Sequence, residues 1–309
     1  MKDFFLEEIR KRGGFSCHHA HFDKAYLINP EDFQRSTASL QEKWKLYREY
    51  KENYTIEDLV FRMSKCVDNL LSQETKYIKT FLDADSIVEQ KCIDVGLILK
   101  DKYKDLVRID LGIQPLEGLD SKASYDNFVL ACEKADFIGG LPDRDKSPRQ
   151  HVQKLFDLSL MLDKPVDIHV GQNNIPSEKE TEMVLDVLED YDLKQKVSLV
   201  HCISLACQDK DYIVHQADRM KILGVDVIVC PSAAISMKQD NSAYAPIHNS
   251  IAPVIELVRR GVNVKLGIDN ISDLFMPLVD GDLWFETRLL MEACRLYDKN
   301  IILDIVTSS

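Results

Sequence analysis

Short apolar runs alternate with longer amphipathic stretches along almost the whole chain. Runs of about four to eight residues rich in Val, Ile and Leu are typical of strands buried on both faces of a parallel sheet. The first predicted strand lies within a histidine-rich stretch, Phe15–Ala25. The other predicted strands are Tyr77–Leu82, Leu106–Ile113, Asp136–Gly139, Val166–Val170, Val197–Val200, Val225–Val229 and Val262–Ile268.

The stretches between these runs carry the periodicity and the end signals of helices. Ser86 with Glu89, and Ser177 with Glu180, have the spacing of capping boxes that begin helices. Gly224 precedes a strand directly, as expected for a glycine that ends a helix. The predicted helices are 1–12, Ile56–Leu71, Ser86–Lys100, Tyr125–Lys134, Pro148–Leu162, one opened by Ser177, two closed by Gly224 and Gly261, and Asp282–Tyr297.

Eight strands separated by helices are the count expected of a (β/α)8 TIM barrel, an α/β fold. An open doubly wound sheet would usually carry a glycine-rich phosphate loop after its first strand, and neither of the two common loop motifs occurs. We therefore predict that residues 1–309 form one barrel domain without an evident β-sandwich.

The connection after the first strand, Asn29 to Thr55, is unusually long and is rich in charged and aromatic residues. Long connections in compact domains are often binding loops or lids. Two interpretations stay open from the sequence: a lid over a site, or an excursion along the surface.

The overall composition excludes several classes of function. The net charge is −12, from 39 basic and 51 acidic residues, which argues against nucleic acid as the main partner. No apolar run is long enough to span a bilayer, and charges interrupt the first residues too early for a signal peptide. The eight cysteines form no Cys-x-x-Cys pair, so we expect a reducing, cytoplasmic location. The oligomeric state is not predictable from these features.

Four of the eight histidines stand at predicted strand ends. His19 and His21 are spaced i, i+2, which sends both side chains to one face of an extended chain. His169 ends the fifth strand, His201 the sixth, and Asp269 follows the eighth. Active sites of (β/α)8 barrels lie at the C-terminal ends of the strands, so these side chains are expected to converge. Imidazole and carboxylate are common ligands of zinc and iron, and the sequence predicts a metal site there.

Together these motifs resemble the amidohydrolase superfamily, and within it the cytosine deaminase-like branch. The matching stretches are His19-Ala20-His21-Phe22-Asp23-Lys24, Lys79-Thr80-Phe81-Leu82-Asp83-Ala84-Asp85, Pro115-Leu116-Glu117-Gly118, Gly139-Gly140-Leu141-Pro142, Asp167-Ile168-His169, Val200-His201-Cys202 and Leu266-Gly267-Ile268-Asp269-Asn270. Relatives usually add a small β-sandwich to the barrel. For this chain, a bare barrel and a shortened C-terminus are both compatible with the sequence.

The resemblance implies one divalent metal ion, zinc or iron, bound by His19, His21, His169 and Asp269. It further implies that Asp269 serves as the base for the attacking water. His201 would hydrogen-bond that water or the substrate, a small molecule. Such chemistry fits the ligand set, because a metal lowers the pKa of a bound water toward neutrality.

Two positions depart from the pattern of the branch. Gln172 stands where a glutamate shuttles a proton to the ring nitrogen, and an amide cannot exchange protons at neutral pH. Leu116 stands where a glutamine reads the pyrimidine edge. Cytosine itself is therefore not expected to be the substrate. Leu116, Glu117 and Asn270 are nevertheless assigned to the substrate-binding set.

Lys24 has two interpretations, since its ammonium could bind a substrate carboxylate or carbonyl near the metal, or could pair with an acid at the barrel mouth. We include it among the substrate-binding candidates. The function expected from the whole pattern is metal-dependent hydrolysis of a non-peptide C–N bond in a small cyclic or heterocyclic molecule. The alternative, favoured by Gln172, is a catalytically impaired relative that binds a metabolite.

Overall fold

Eight parallel strands form one sheet in which each strand pairs with its neighbours in chain order. The structure is a computed structural model that describes residues 1–194, 196–237, 244 and 250–308. The strands are β1 (Phe15–Cys17), β2 (Thr75–Asp83), β3 (Arg108–Gln114), β4 (Phe137–Gly140), β5 (Val166–Val170), β6 (Val197–His201), β7 (Asp226–Val229) and β8 (Val264–Leu266). This sheet confirms the predicted (β/α)8 barrel, and within the described residues no β-sandwich accompanies it.

Helices surround the sheet. They are α1 (Lys2–Lys11), α2 (Leu40–Lys51), α3 (Ile56–Leu71), α4 (Lys91–Tyr103), α5 (Lys122–Lys134), α6 (Pro148–Leu162), α7 (Glu180–Leu188), α8 (Lys210–Leu223), α9 (Pro231–Ser236), α10 (Val254–Arg259), α11 (Leu283–Cys294) and α12 (Lys299–Thr307). Short 3₁₀ helices lie at Pro30–Thr37, Pro142–Arg144 and Ile203–Cys207. In the part of the chain that the structure describes, none of the helices is long and apolar enough to cross a bilayer.

The barrel closes between β8 and the residues that follow β1. The His18 N–H donates to Leu266 O at 2.8 Å, and the Ile268 N–H donates to His19 O at 2.9 Å. Asp269, the residue after Ile268, accepts the His21 N–H with its backbone oxygen at 3.2 Å. On the other side, the Phe81 N–H donates to Ala20 O at 2.8 Å. The backbone that carries His19 and His21 is therefore fixed by both neighbouring strands, although β1 itself ends at Cys17.

An aromatic layer fills the barrel below its C-terminal mouth. The rings of Phe81 and Phe137 meet edge to face with centroids 5.0 Å apart. Two glycines make room for them: a Cβ on Gly139 would lie 2.6 Å from the Phe81 ring, and one on Gly112 would lie 2.1 Å from the Phe137 ring. The Phe81 ring also contacts His19, with centroids 4.8 Å apart, so the floor of the site is apolar and rigid.

Neither predicted capping box forms. Asp85, not Ser86, accepts the backbone N–H groups of Ile87 and Val88, and Glu89 has a φ of 51°, so α4 begins only at Lys91. Glu180 is itself the first residue of α7. Its carboxylate accepts the Gly171 N–H at 2.9 Å, so it holds the loop after β5 rather than forming a capping box with Ser177.

The long connection after β1 lies over the mouth of the barrel, as the lid interpretation predicted. Its longest element is α2, which begins at a complete capping box between Ser39 and Glu42. Trp44 and Tyr47 of α2 are buried in an apolar cluster with Leu116, Leu141 and Leu274. This packing fixes α2 to the loops after three of the strands.

Candidate active site

Three imidazoles and one carboxylate converge at the C-terminal end of the barrel. His169 Nε2 lies 3.4 Å from His21 Nε2. Asp269 Oδ1 lies 3.2 Å from His21 Nε2 and 3.3 Å from His19 Nε2. Donor atoms of these residues and of His201 form two overlapping groups with spacings within 4.8 Å. The sequence-predicted ligands are thus brought together.

The spacing and the unused nitrogen atoms fit a bound metal ion. Ligands about 2.0–2.1 Å from a tetrahedral ion are about 3.4 Å from each other, close to the distances observed here. Among the described residues, Nδ1 of the buried His19 lacks a hydrogen-bond partner, and Nε2 has only the Asp269 carboxylate, 3.3 Å away, beside it. Such buried polar atoms usually have partners, and a cation would supply one. His169 Nδ1 donates to Gly140 O at 2.9 Å, which leaves Nε2 free to act as a ligand.

Burial keeps the imidazoles neutral, as a metal site requires. It lowers the pKa of His19 and of His21, and it lowers the pKa of His169 well below the usual range, helped by the neighbouring histidines. Burial opposes ionisation of Asp269 as well. Hydrogen bonds from the rings of His19 and His21 to the carboxylate outweigh that effect and hold the pKa of Asp269 well below its usual value. The site therefore presents neutral nitrogens and an ionised carboxylate at neutral pH.

His201 stands beside this group, with Nε2 3.8 Å from Asp269 Oδ2. Burial lowers its pKa to about 4, against the opposing effect of the Asp269 carboxylate, so the ring is a neutral donor or acceptor near pH 7. His201 and Asp269 both have left-handed backbones, with φ of 76° and 65°. Non-glycine residues in that region are uncommon and cluster at functional sites, where the surrounding structure holds them.

A cavity of about 680 Å³, counting its open mouth, lies above these groups. Its wall includes Lys24, Leu116, Gln172 and Asn270 from the sequence-predicted set. Gln172 follows β5 and is 7% exposed, and Leu116 belongs to the apolar cluster under α2. The cavity is thus closed on one side by the lid helix and on the other by strand-end residues.

Lys24 is part of a buried ionic cluster that joins the cavity wall to α2. Its ammonium donates to Asp83 at 2.7 Å and to Asp23 at 3.3 Å. Lys51, the last residue of α2, donates to Asp85 and lies 3.4 Å from Asp83. Burial alone would lower the pKa of Lys51, but the carboxylates of Asp83 and Asp85 raise it. Lys24 therefore pairs with acids, one of its two predicted interpretations, and also borders the cavity.

Asn270 is connected to α2 through one carboxylate. Its Nδ2 donates to Asp273, which also accepts the Tyr47 hydroxyl at 2.6 Å. The Tyr47 ring stacks on Phe275, with centroids 4.6 Å apart and planes 12° apart. Burial raises the pKa of Asp273 to about 6. The lid helix thus helps to set the orientation of a cavity residue.

Glu117 lies outside the set of residues that line the cavity. Its carboxylate faces α2, 3.3 Å from Arg48 Nη1 and 3.6 Å from Lys51 Nζ. Conversely, the cavity wall also contains residues that were not predicted from the sequence, among them Gln114 at the end of β3 and Trp44 of α2. The strand-end position of Gln114 was the available signal. The placement of Trp44 depends on how α2 packs, and no local pattern reports that.

Comparison with known proteins gives several matches. No protein-family model matches the chain. An uncharacterized protein of Haemophilus influenzae is 30% identical over 265 residues, which cover 84% of this chain and 95% of that protein. N-isopropylammelide isopropyl amidohydrolase of Pseudomonas sp. is 21% identical over 296 residues, covering 90% of this chain and 68% of that enzyme. The crystal structure of 5-methylcytosine deaminase from Klebsiella pneumoniae with 5-fluorocytosine has a TM-score of 0.85 at 23% identity, covering 95% of this chain and 72% of that one.

Fold and site together define a class: a (β/α)8 barrel with a histidine–aspartate cluster at the C-terminal ends of its strands. The chain belongs to the same family as the uncharacterized Haemophilus influenzae protein, and it is similar in sequence to an amidohydrolase and in fold to 5-methylcytosine deaminase.

Proposed function

We propose that this protein is a metal-dependent hydrolase that cleaves a non-peptide C–N bond in a small cyclic or heterocyclic molecule. The convergence of His19, His21, His169 and Asp269, with contacts of 3.2–3.4 Å, carries the proposal. The similarity to an amidohydrolase and a deaminase supports the type of bond. These four residues would hold one divalent ion, zinc or iron.

The chain's own groups would divide the chemistry as follows. A bound divalent ion makes water acidic enough to attack at neutral pH. Asp269, ionised under those conditions, accepts the proton of the attacking water and returns it to the departing nitrogen. His201, neutral because of its burial, donates a hydrogen bond to the oxygen on which negative charge develops. Lys24, Leu116 and Asn270 line the cavity and are proposed to contact the substrate.

Gln172 restricts the reaction that this arrangement can perform. Because an amide does not exchange protons, Asp269 has to carry both proton transfers. Carrying both transfers is easier for Asp269 when a cyclic amide opens or an amine leaves, because a single proton then moves from water to the departing nitrogen. It is harder when a ring nitrogen must be protonated before attack, as in deamination of cytosine.

Metal content and turnover test the proposal together. We expect about one zinc or iron ion per purified chain, and hydrolysis of at least one compound in a panel of cyclic amides, ureas and aminated heterocycles. Alanine at His19, His21, His169 or Asp269 should remove the metal. His201→Ala should retain it and abolish turnover. Metal retained without His169 would contradict the ligand assignment.

The second candidate function is binding of a metabolite without turnover, and the presence of Gln172 at the proton-shuttle position favours it. The two functions differ in one measurement. A metal-loaded protein that binds panel compounds but releases no product would support the binding function and refute the hydrolase.

A further inference from the structure

The short helix α9, which follows β7, forms part of the cavity wall. Ala233 and Ser236 of this helix, and Met237 directly after it, line the cavity. Ala233 also belongs to one apolar cluster with Met276, a cavity residue from the loop after β8. The position of α9 therefore determines where this side of the cavity wall lies.

The first turn of α9 lacks a cap from its own sequence. Cys230 is the N-cap residue and makes no side-chain hydrogen bond to the helix. Pro231 has no N–H, so the first backbone donor of the helix is the N–H of Ser232. Ser232 is only 8% exposed. A buried donor at a helix end needs an acceptor, and a helix of six residues has few other hydrogen bonds that hold it in place.

The acceptor comes from another helix, α11. Glu286 Oε2 accepts the Ser232 N–H at 2.9 Å, and the Glu286 side chain is buried. Its own helix does not need this carboxyl as a cap, because Asp282 accepts the N–H groups of Trp284 and Phe285. Burial raises the pKa of Glu286 to about 7, against the lowering effect of the Ser232 hydroxyl and N–H. A buried carboxyl is unfavourable unless it is hydrogen-bonded, and this one is bonded to the wall helix.

We propose that Glu286 is a positioning residue for the substrate cavity, because it caps α9 from the outer ring of helices and so fixes the wall formed by Ala233, Ser236 and Met237. Its effect on turnover rests on the proposed function, whereas its effect on α9 does not. Glu286 is not among the residues that line the cavity. It should therefore act on substrate binding through α9 and leave the chemical step unchanged.

Substitutions at Glu286 separate the hydrogen bond from the rest of the side chain. Glu286→Met keeps the length and removes the acceptor, and Glu286→Asp withdraws the acceptor by one methylene in case the first variant does not fold. Glu286→Gln retains an oxygen that can accept the Ser232 N–H. Glu292→Met is the matched control, since Glu292 is an acid of the same helix that pairs with Arg288 at the surface. Circular dichroism and zinc content would show that each variant is folded and loaded.

Alkylation of Cys230 by iodoacetamide, mapped by mass spectrometry, reports on α9 without relying on catalysis. Cys230 directly precedes the helix and is buried, so its thiol reacts only when this segment moves. In the zinc-loaded protein, Glu286→Met and Glu286→Asp should raise the alkylation rate at least about tenfold, because a buried donor is left unpaired. Glu286→Gln and Glu292→Met should stay within about threefold of wild type. The buried Cys132 of α5 is the internal reference and should keep its rate in every protein.

Steady-state kinetics on a panel compound test the effect on the cavity. Glu286→Met should raise KM at least about tenfold with kcat within about threefold, the pattern of lost binding rather than lost chemistry. Glu286→Gln should restore both values to within about threefold of wild type, and Glu292→Met should change neither. In a protein without turnover, the Kd of a panel compound takes the place of KM.

An unchanged Cys230 alkylation rate in folded Glu286→Met would overturn the capping role. A fall in kcat without a rise in KM, or a KM and Kd that stay the same, would overturn the positioning role and leave the hydrolase standing. Faster alkylation with weaker binding, in a protein that releases no product, would support the positioning role and refute the hydrolase.

Discussion

The buried ionic cluster beneath α2 gives a sharp test of what holds the lid helix in place. Lys51 is fully buried, and its ammonium faces the carboxylates of Asp83 and Asp85. Lys51→Met keeps most of the side-chain length and removes the charge. The buried Asp85 then loses the ammonium to which it is bonded, and Asp83 keeps only Lys24.

The expected loss of stability follows from these contacts. Removing one partner of a buried ion pair costs about 3–5 kcal/mol, because the remaining charge stays buried without compensation. With an unfolding entropy of about 2.1 cal/mol/K per residue, a chain of 309 residues loses roughly 5–8 °C in melting temperature for that change. Because Lys51 is the last residue of α2, the lid should also open more readily.

Thermal and urea unfolding, followed by circular dichroism, measure this loss. Lys45→Met is the matched control, since Lys45 is an exposed lysine of the same helix, and it should change stability by less than about 0.5 kcal/mol. Limited proteolysis should cut Lys51→Met faster within residues 29–55. A Lys51→Met protein within about 1 kcal/mol of wild type would refute the argument that this cluster anchors the lid.

Three further predictions concern the site. Gln172→Glu should raise ammonia release from cytosine at least about tenfold at equal metal loading; substantial cytosine turnover by the unmodified protein would contradict the role assigned to Gln172. Burial raises the pKa of Asp273 from 3.8 to about 6, so its ionisation costs stability as pH rises from about 4 to above 6. With the metal removed by a chelator, Asp273→Asn should therefore gain about 2.4 kcal/mol of stability relative to wild type between pH 4 and pH 7, and a constant difference would refute the shift. Gly267→Ala would place a Cβ 2.5 Å from His19 Cβ, and should weaken zinc binding at least tenfold in a folded protein; unchanged affinity would contradict the tight packing at His19.

The fold was predictable because its signals are local and repeated. The buried strands are continuous apolar runs, and β5, α3 and α6 have the bounds that the sequence predicted. The predicted capping boxes do not form, because other contacts in the folded chain replace them. Asp85 caps the turn that Ser86 was expected to begin, and Gly171 recruits the carboxylate of Glu180.

The site was predictable where chemistry and strand position coincide. His169 and Asp269 are unusual residues at the ends of apolar runs, which made their convergence foreseeable. Gln114 occupies an equivalent strand end and lines the cavity, but a glutamine carries no distinctive chemistry that singles it out in the sequence. Trp44 reaches the cavity through the packing of a whole helix, which no short pattern encodes.

The seam that closes the barrel is made by the same residues that are proposed to hold the metal ion. His19 O accepts the N–H groups of Ile268 and Asp269, and the His21 N–H donates back to Asp269 O. An ion bound across this seam therefore stabilises the closed barrel by mass action, and closure in turn raises affinity for the ion. The two equilibria are thermodynamically linked, so metal starvation should be visible as faster amide hydrogen exchange at His21 and Ile268 before any helix unfolds. The cation would then stabilise the closed barrel as well as take part in the reaction.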